Sequence, residues 1–486
     1  MALLGAGLGL AGCGEPSVRP KAVQAAEAEV AEPAAAAPES ECPASAPAPE
    51  SLPGVRPEHD TLEYWLERTA AVMELDAEVL SPGAIADHNR TIGGESAGVR
   101  YDLLGPVQAP VILEAVDRRL SYLSGKLAAG AYFRGDGTAP SDEEAAALAP
   151  VRALPRLQPE LRVALEPIPV RCGPRLDGLF TASLDAAFDR NLCSVIRAQE
   201  PVQVLMQWSD ELLLARSGYV LGWISSSSGL SPVLSSREER EAFVLGPWMV
   251  ASREGEARTQ EGEVRRIPFA SRVPLLAGRG GKGGLGALLV ATERGVVQAS
   301  PVDAQAWAPT GRSLTRRQFL TDAFRYRGQL YGWGGYHEGR DCSRFLMDLF
   351  AGFGVDLPRH SSDQAVAGEV IEVGAGLSEA ERLKVIDRAH RRGLVLLHFP
   401  NHIMLYLGRD EGGVPMALHS FAEYLVPCEG RTAEMPAGER ETLVHVDRIQ
   451  VSNLELGRGS SRTSFIERIT KITVVGRRPV ELETSG

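Results

Sequence analysis

The fold turns on residues 341–354, Asp341-Cys342-Ser343-Arg344-Phe345-Leu346-Met347-Asp348-Leu349-Phe350-Ala351-Gly352-Phe353-Gly354. Phe345, Leu346, Leu349, Phe350 and Phe353 recur at the spacing that lines one face of an α-helix, and Gly354 is a natural stop. Cys342 then stands at the helix N-terminus, where unpaired amide N–H groups and the helix dipole favour a thiolate. A cysteine so placed is either a small buried hydrophobe or a nucleophile, and its own helix does not decide between them. Upstream lies a Gly-rich bend, Tyr331-Gly332-Trp333-Gly334-Gly335. Before it, Thr315 can cap a helix whose Phe319, Leu320, Ala323 and Phe324 face a core.

The histidines decide the matter. Seven of the nine fall at or beyond His337. Asn401-His402-Ile403-Met404-Leu405-Tyr406-Leu407-Gly408 reads as a strand, Arg409-Asp410-Glu411-Gly412 as a turn, and Val414 to Ser420 as a returning strand containing His419. Closing the hairpin on that loop pairs Gly408 with Gly413 and His402 with His419. Facing residues in such a ladder have Cβ atoms ~5 Å apart. Two imidazoles on one sheet face make a base and its orienter, awaiting a nucleophile that the Cys342 helix would supply. The same residues could instead ligate zinc. A zinc hydrolase would need a separate general base, however, and no His-Glu-x-x-His motif occurs.

Working outward, 486 residues exceed what one core organises, so several domains are expected. A content of 44% hydrophobic and 23% charged residues is globular rather than disordered. The net charge of −12 leaves no footprint for nucleic acid. No run approaches the ~20 apolar residues of a spanning helix. Residues 1–13 form a short apolar run ending Leu10-Ala11-Gly12-Cys13, which suits the core of a signal peptide; a frayed apolar N-terminus is the alternative. Residues 14–56, rich in Ala, Pro and Glu, read as a solvated tether.

Residues 57–150 read as a helical support. Asp60 and Glu63 have capping-box spacing, Leu62, Trp65, Leu66 and Met73 share a face, and a second periodic stretch spans Val111–Leu127. Residues 151–230 and 231–310 turn to short strands that suit small β-barrels. The first holds Val202–Trp208, Glu211–Ser217 and Tyr219–Ile224; the second holds Val264–Ala270, Arg272–Leu276 and Leu285–Thr292. Gly278–Gly286 imitates a phosphate loop but lacks Gly-Lys-Ser/Thr and a following helix, so a mobile hairpin loop is expected there. The six cysteines are Cys13, Cys42, Cys172, Cys193, Cys342 and Cys428. If Cys13 is lipidated, at least one of the others stays unpaired, while Cys172 and Cys193 could close a short loop.

The motifs Tyr331–Gly335, Arg340-Asp341-Cys342-Ser343, Leu357-Pro358-Arg359-His360-Ser361-Ser362-Asp363-Gln364 and His402–Gly408 together resemble the NlpC-type cell-wall peptidase family. The match runs from about Ser313 to Val480, within residues 311–486. The upstream order resembles the subgroup of γ-D-glutamyl-L-diamino acid endopeptidases. The resemblance implies a multidomain chain with an α+β papain-like C-terminal catalytic domain, two small SH3-like β-barrels and an N-terminal helical segment. It implies Cys342 as nucleophile, His402 as general base and His419 as its orienter, with Tyr331, Asp341 and Ser343 shaping the substrate pocket. Peptidoglycan stem peptides would be the substrate, with no metal or organic cofactor and no nucleic-acid partner. The Leu10–Cys13 ending resembles the bacterial lipobox, which implies a chain lipid-anchored at Cys13 in the cell envelope and facing the periplasm; a monomer is expected. Two positions depart from the family pattern: Arg344 and Asn401 stand where glycine is usual, and a cation beside the nucleophile would narrow the cleft. A catalytically silent peptidoglycan-binding lipoprotein, and a Cys-His amidase cutting another cell-wall amide bond, remain alternatives.

Overall fold

In the computed structural model, residues 42–92, 100–149, 151–280, 286–431 and 435–476 are described. Cys13 and most of the expected tether lie outside them. The described part of the tether departs from expectation, because residues 42–56 are folded against the C-terminal region. Ser45–Pro47 is a strand, β1, and Leu52 and Val55 are buried in the main core. Pro-rich composition hid this, since only a few apolar residues and one cysteine hold the segment down.

Beyond it, a short turn at Pro57–Asp60 leads into α1 (Leu62–Ala70), which buries Trp65. The N-cap is Thr61, whose hydroxyl accepts the Tyr64 N–H, rather than Asp60. Helices α2 (Pro82–Ile92) and α3 (Ala109–Ala128) follow, and α3 buries Ile112, Val116, Leu120 and Leu123 along one stripe. Residues 160–225 form a six-stranded antiparallel sheet that includes Pro201–Gln207, Leu212–Arg216 and Leu221–Ser225. A seven-stranded sheet spans Trp248 to Pro309. Within it Arg272–Gly280 and Gly286–Thr292 pair antiparallel, so the Gly-rich stretch joins two strands of a hairpin; its centre lies outside the described residues.

The C-terminal region is built on one mixed sheet. Its strands are β2 (Glu369–Glu372), β3 (Gly393–Phe399), β4 (His402–Arg409), β5 (Pro415–Pro427), β6 (Glu441–Asn453) and β7 (Lys471–Gly476), and β1 joins at one edge. The order is β1-β6-β5-β4-β3-β7-β2, antiparallel except for the β1–β6 pair. Helices α4 (Arg316–Arg325), α5 (Cys342–Ala351) and α6 (Glu379–Arg392) complete it, with α5 packed on β4 and β5. Phe319 of α4 packs against Phe350 and Phe353 with tilted rings, at 4.8 and 5.8 Å between centroids. Each such fully buried side chain stabilises the fold by about 2–3 kcal/mol.

Two disulfides lock this arrangement. Cys172–Cys193 closes the expected short loop, with Cα atoms 5.1 Å apart. Cys42–Cys428, with Cα atoms 5.8 Å apart, was not foreseen; it clips the leader to the end of β5 across 386 residues of sequence. Replacing Cys42 and Cys428 together by Ser is expected to lower the urea-unfolding free energy by about 2–4 kcal/mol. An unchanged urea midpoint would show that the clip adds nothing beyond β1 and Leu52.

Candidate active site

Cys342 is the unpaired thiol among the described residues, and it is the first residue of α5. Asp341 is the N-cap, its Oδ1 accepting the Arg344 N–H at 2.8 Å. The other carboxylate oxygen accepts the Gly334 N–H at 3.0 Å, so one side chain ties the Gly-rich bend to the start of the helix. Gly334 and Gly335 have φ of +67° and +96°, a conformation that favours glycine and lets the bend pass close to Leu192 and Val195 of the six-stranded sheet. Arg359 clamps Asp341 from outside, Nη1 to Oδ1 at 3.0 Å and Nη2 to Oδ2 at 2.6 Å. Its Nη1 also donates to Ser343 Oγ and its Nε to Ser194 Oγ, both at 2.9 Å. Asp341 and Ser343 are thus bound into the frame that holds Cys342. Tyr331 is half-buried, its N–H donated to the Asp447 carbonyl at 2.9 Å.

The histidines meet, but not in the expected register. The turn is one residue longer than expected, because the buried Asp410 carboxylate accepts the Val414 N–H at 2.8 Å and its carbonyl accepts the Gly413 N–H. Leu405 therefore pairs with Leu418, and a bulge intervenes between Tyr406 and Gly408. Extending that register sets His402 opposite Phe421, with His419 as its diagonal neighbour on the same face. Face alternation survives an even shift, so the imidazoles still touch: His402 Nε2 lies 2.7 Å from His419 Nδ1.

The second nitrogen of His419 is 2.7 Å from Ser452 Oγ on β6, and both residues are fully buried. Motif reading missed Ser452, because nothing near it marks a site; only the β5–β6 pairing brings it in. With Ser452 as acceptor, His419 carries its proton on Nε2 and accepts at Nδ1 from His402 Nε2–H. That leaves His402 Nδ1 as a free base. Because both nitrogens of His419 are engaged, the Cys342, His402 and His419 set is not a zinc-ligand set.

Cys342 lies against the start of β4, where the Ile403 and Ser343 N–H groups stabilise negative charge on the sulfur. Burial, and next the Asp341 carboxylate, nevertheless push the thiol up to about 12. Burial, then Arg468 and His398, pull His402 down to about 3, and His419 is also held well below the ordinary imidazole value. Expectation of a depressed thiol pKa is therefore corrected: the helix dipole is outweighed by desolvation, and the free site rests as neutral thiol and neutral imidazole.

Both departures from the family pattern have local explanations. Asn401 has φ +71° in the two-residue turn that joins β3 to β4, and asparagine is the residue after glycine that best tolerates this. Arg344 points into the six-stranded sheet, its Nη1 donating to Val195 O at 2.9 Å and to the Tyr219 hydroxyl at 3.1 Å. A cavity of about 1200 Å³ is lined by Arg340, Arg344 and Asp348 but by none of Cys342, His402 and His419.

Residues 328–429 match the NlpC/P60 family. The chain carries an NlpC/P60 domain. Over 143 residues it is 30% identical to the γ-D-glutamyl-L-lysine dipeptidyl-peptidase of Bacillus subtilis (strain 168), a stretch covering 29% of this chain and 44% of that protein. The chain therefore spans less than half the length of this curated relative. An NlpC/P60 endopeptidase from Photobacterium damselae subsp. piscicida superposes with a TM-score of 0.61 at 16% identity, over 83% of this chain and 95% of that one. That likeness is one of fold, and it extends well upstream of the NlpC/P60 domain.

Ser452→Ala is expected to lower kcat on a cleaved peptide about tenfold, ~1.4 kcal/mol, with KM little changed. Without its partner, His419 stabilises the His402 imidazolium less, so the acid limb of the pH–rate profile should move to lower pH. Ser452→Thr should restore both. A uniform loss with an unmoved acid limb would mark Ser452 as packing only.

Proposed function

We propose that the chain is a cysteine endopeptidase that hydrolyses the γ-D-glutamyl-diamino acid (diaminopimelate) bond of peptidoglycan stem peptides. The observation that carries the reading is the buried His402–His419–Ser452 hydrogen-bond chain beside an unpaired thiol at a helix N-terminus. His402 Nδ1 takes the Cys342 proton as the sulfur attacks the γ-glutamyl carbonyl. His402 Nε2–H donates to His419, which disperses the imidazolium charge. The oxyanion is held by N–H groups at the start of α5. His402 then protonates the leaving amine, and water, activated by the same imidazole, hydrolyses the thioester. The B. subtilis relative supports the γ-glutamyl assignment through the bond in its name.

Residues 151–230 and 231–310 act in this reading as SH3-like modules braced on a monomeric enzyme, supported by their short antiparallel strands. Lipid anchoring at Cys13, facing the periplasm, is supported by the Leu10–Cys13 sequence and by two disulfides, which persist in oxidising compartments. Cys13→Ser is expected to move the chain from the membrane to the soluble fraction of the native cell; an unchanged distribution would rule the anchor out.

Incubating the protein with L-Ala-γ-D-Glu-meso-diaminopimelate is expected to release L-Ala-γ-D-Glu, unaffected by chelators. Cys342→Ala should lower the rate at least about a thousandfold without altering the circular dichroism spectrum. A product of different mass would reassign the scissile bond. Sacculus binding without any cleavage would mark a silent binding module.

A further inference from the structure

The residues between the bridged Cys172 and Cys193 make a rigid projection from the six-stranded sheet toward the cleft. Asp189 Oδ1 accepts the Leu179 and Asn191 N–H groups at 3.0 and 2.8 Å, and its Oδ2 pairs with Arg171 at 2.5 Å. Asn191 donates to the Arg175 and Asp177 carbonyls at 3.0 and 2.8 Å. Arg190, held between these two, and Phe188, just before them, lie against the Gly-rich bend. Phe188 lies 5.9 Å from the Tyr331 ring and 5.6 Å from the Trp333 ring. The Arg190 guanidinium carbon sits 4.6 Å from the Trp333 centroid and 5.4 Å from that of Phe188.

Arg190 is half-buried, and among the described residues no carboxylate lies within ion-pair reach of it. The one beside it in sequence, Asp189, is spent on Arg171. Desolvating a guanidinium without a counterion is costly, and two aromatic faces offset only part of that cost. A guanidinium held over an aromatic ring keeps N–H donors, which suit a carboxylate bidentately. The bend beneath it runs directly into Asp341 and Cys342 through the Gly334 hydrogen bond. The Tyr331 phenol feels both Cys342 and Arg190, which puts the guanidinium and the nucleophile within electrostatic reach of one side chain.

We infer that Arg190 is a specificity-determining residue that receives the free α-carboxylate of the γ-linked glutamyl residue. This rests on the hydrolase reading above. A γ-linkage leaves a carboxylate on the same residue as the scissile carbonyl, whereas an α-linked peptide has none at that place and an isoglutaminyl peptide has a neutral amide. The cation beside Trp333, with no carboxylate in ion-pair reach among the described residues, matches the first and not the other two. Lysine at this position would keep the charge but lose the planar stack and the two-pronged contact.

The test compares kcat/KM of the full chain on L-Ala-γ-D-Glu-meso-diaminopimelate, on its D-isoglutaminyl amide, and on the L-lysine analogue of the acidic peptide. The wild type should favour the carboxylate over the amide about tenfold or more, as a charged hydrogen bond would. Arg190→Gln should bring that ratio close to one while still cleaving both peptides, and Arg190→Lys should fall between. Calorimetric binding of the same peptides to Cys342→Ala, with and without Arg190→Gln, should show the same ratios in Kd, and urea unfolding checks that each variant folds. A carboxylate preference that survives Arg190→Gln overturns the assignment. So does an Arg190 dependence confined to the diaminopimelate–lysine comparison. If the wild type cleaves none of the peptides, the hydrolase reading itself fails, and this assignment with it.

Discussion

The buried pair between Asp341 and Arg359 is the constraint on which the site depends. Asp341 caps the nucleophile helix, holds the Gly-rich bend through Gly334, and is neutralised by a guanidinium that also reaches Ser194 of the neighbouring sheet. Arg359 in turn holds Asp341 below the usual carboxylate range against a burial that would raise it. Removing one member of such a pair leaves an uncompensated buried charge, which costs about 3–5 kcal/mol. Nucleophile, bend and upstream sheet are therefore fixed by one set of hydrogen bonds.

A second charged knot lies about two turns further along the helix. Asp348 is almost fully buried and is met by Arg340 at 2.7 Å, by Arg344 at 2.9 Å, and by Arg197 from the six-stranded sheet. Glu200 balances Arg197 at 3.1 Å and accepts from the Tyr219 hydroxyl. Three cations against two carboxylates in a buried interface are stable only when the geometry satisfies them all. The upstream sheet is thus a rigid wall of the catalytic region, and Phe188 and Arg190 hold their places beside Trp333 for that reason.

What could be read from sequence, and what could not, divides along one physical line. The Cys342 helix announced itself because its burial pattern is local and periodic: Phe345, Leu346, Leu349 and Phe350 all reach the core. His402 and His419 were legible as strand residues, and their shared face tolerated the misjudged turn, since a shift by two leaves alternation intact. Ser452, Arg359 and Cys42 acquire their roles only through long-range pairing, by β6 against β5, by a loop against α5, and by a disulfide spanning most of the chain. The leader was misread for the same reason. Its average composition is that of a tether, and the few side chains that dock it, Leu52 and Val55 among them, carry no period.

The thiol was misjudged on different grounds, and the correction bears on how the site reacts. A helix N-terminus offers a thiolate roughly half a unit of positive charge, but Cys342 is largely sealed from water and stands next to a carboxylate. His402 is half-buried, with Phe399, Phe465 and His419 around its ring. Burial thus favours the uncharged form of both groups, the thiol being pushed up and the imidazole pulled down. Under the proposed mechanism, proton transfer is coupled to attack: the negative charge would pass from sulfur to the substrate carbonyl oxygen, while the imidazolium would be met by His419 backed by Ser452. In that mechanism the thiol acquires charge only as the substrate carbonyl accepts it, and the burial that pushes it up keeps the reactive thiolate scarce beforehand.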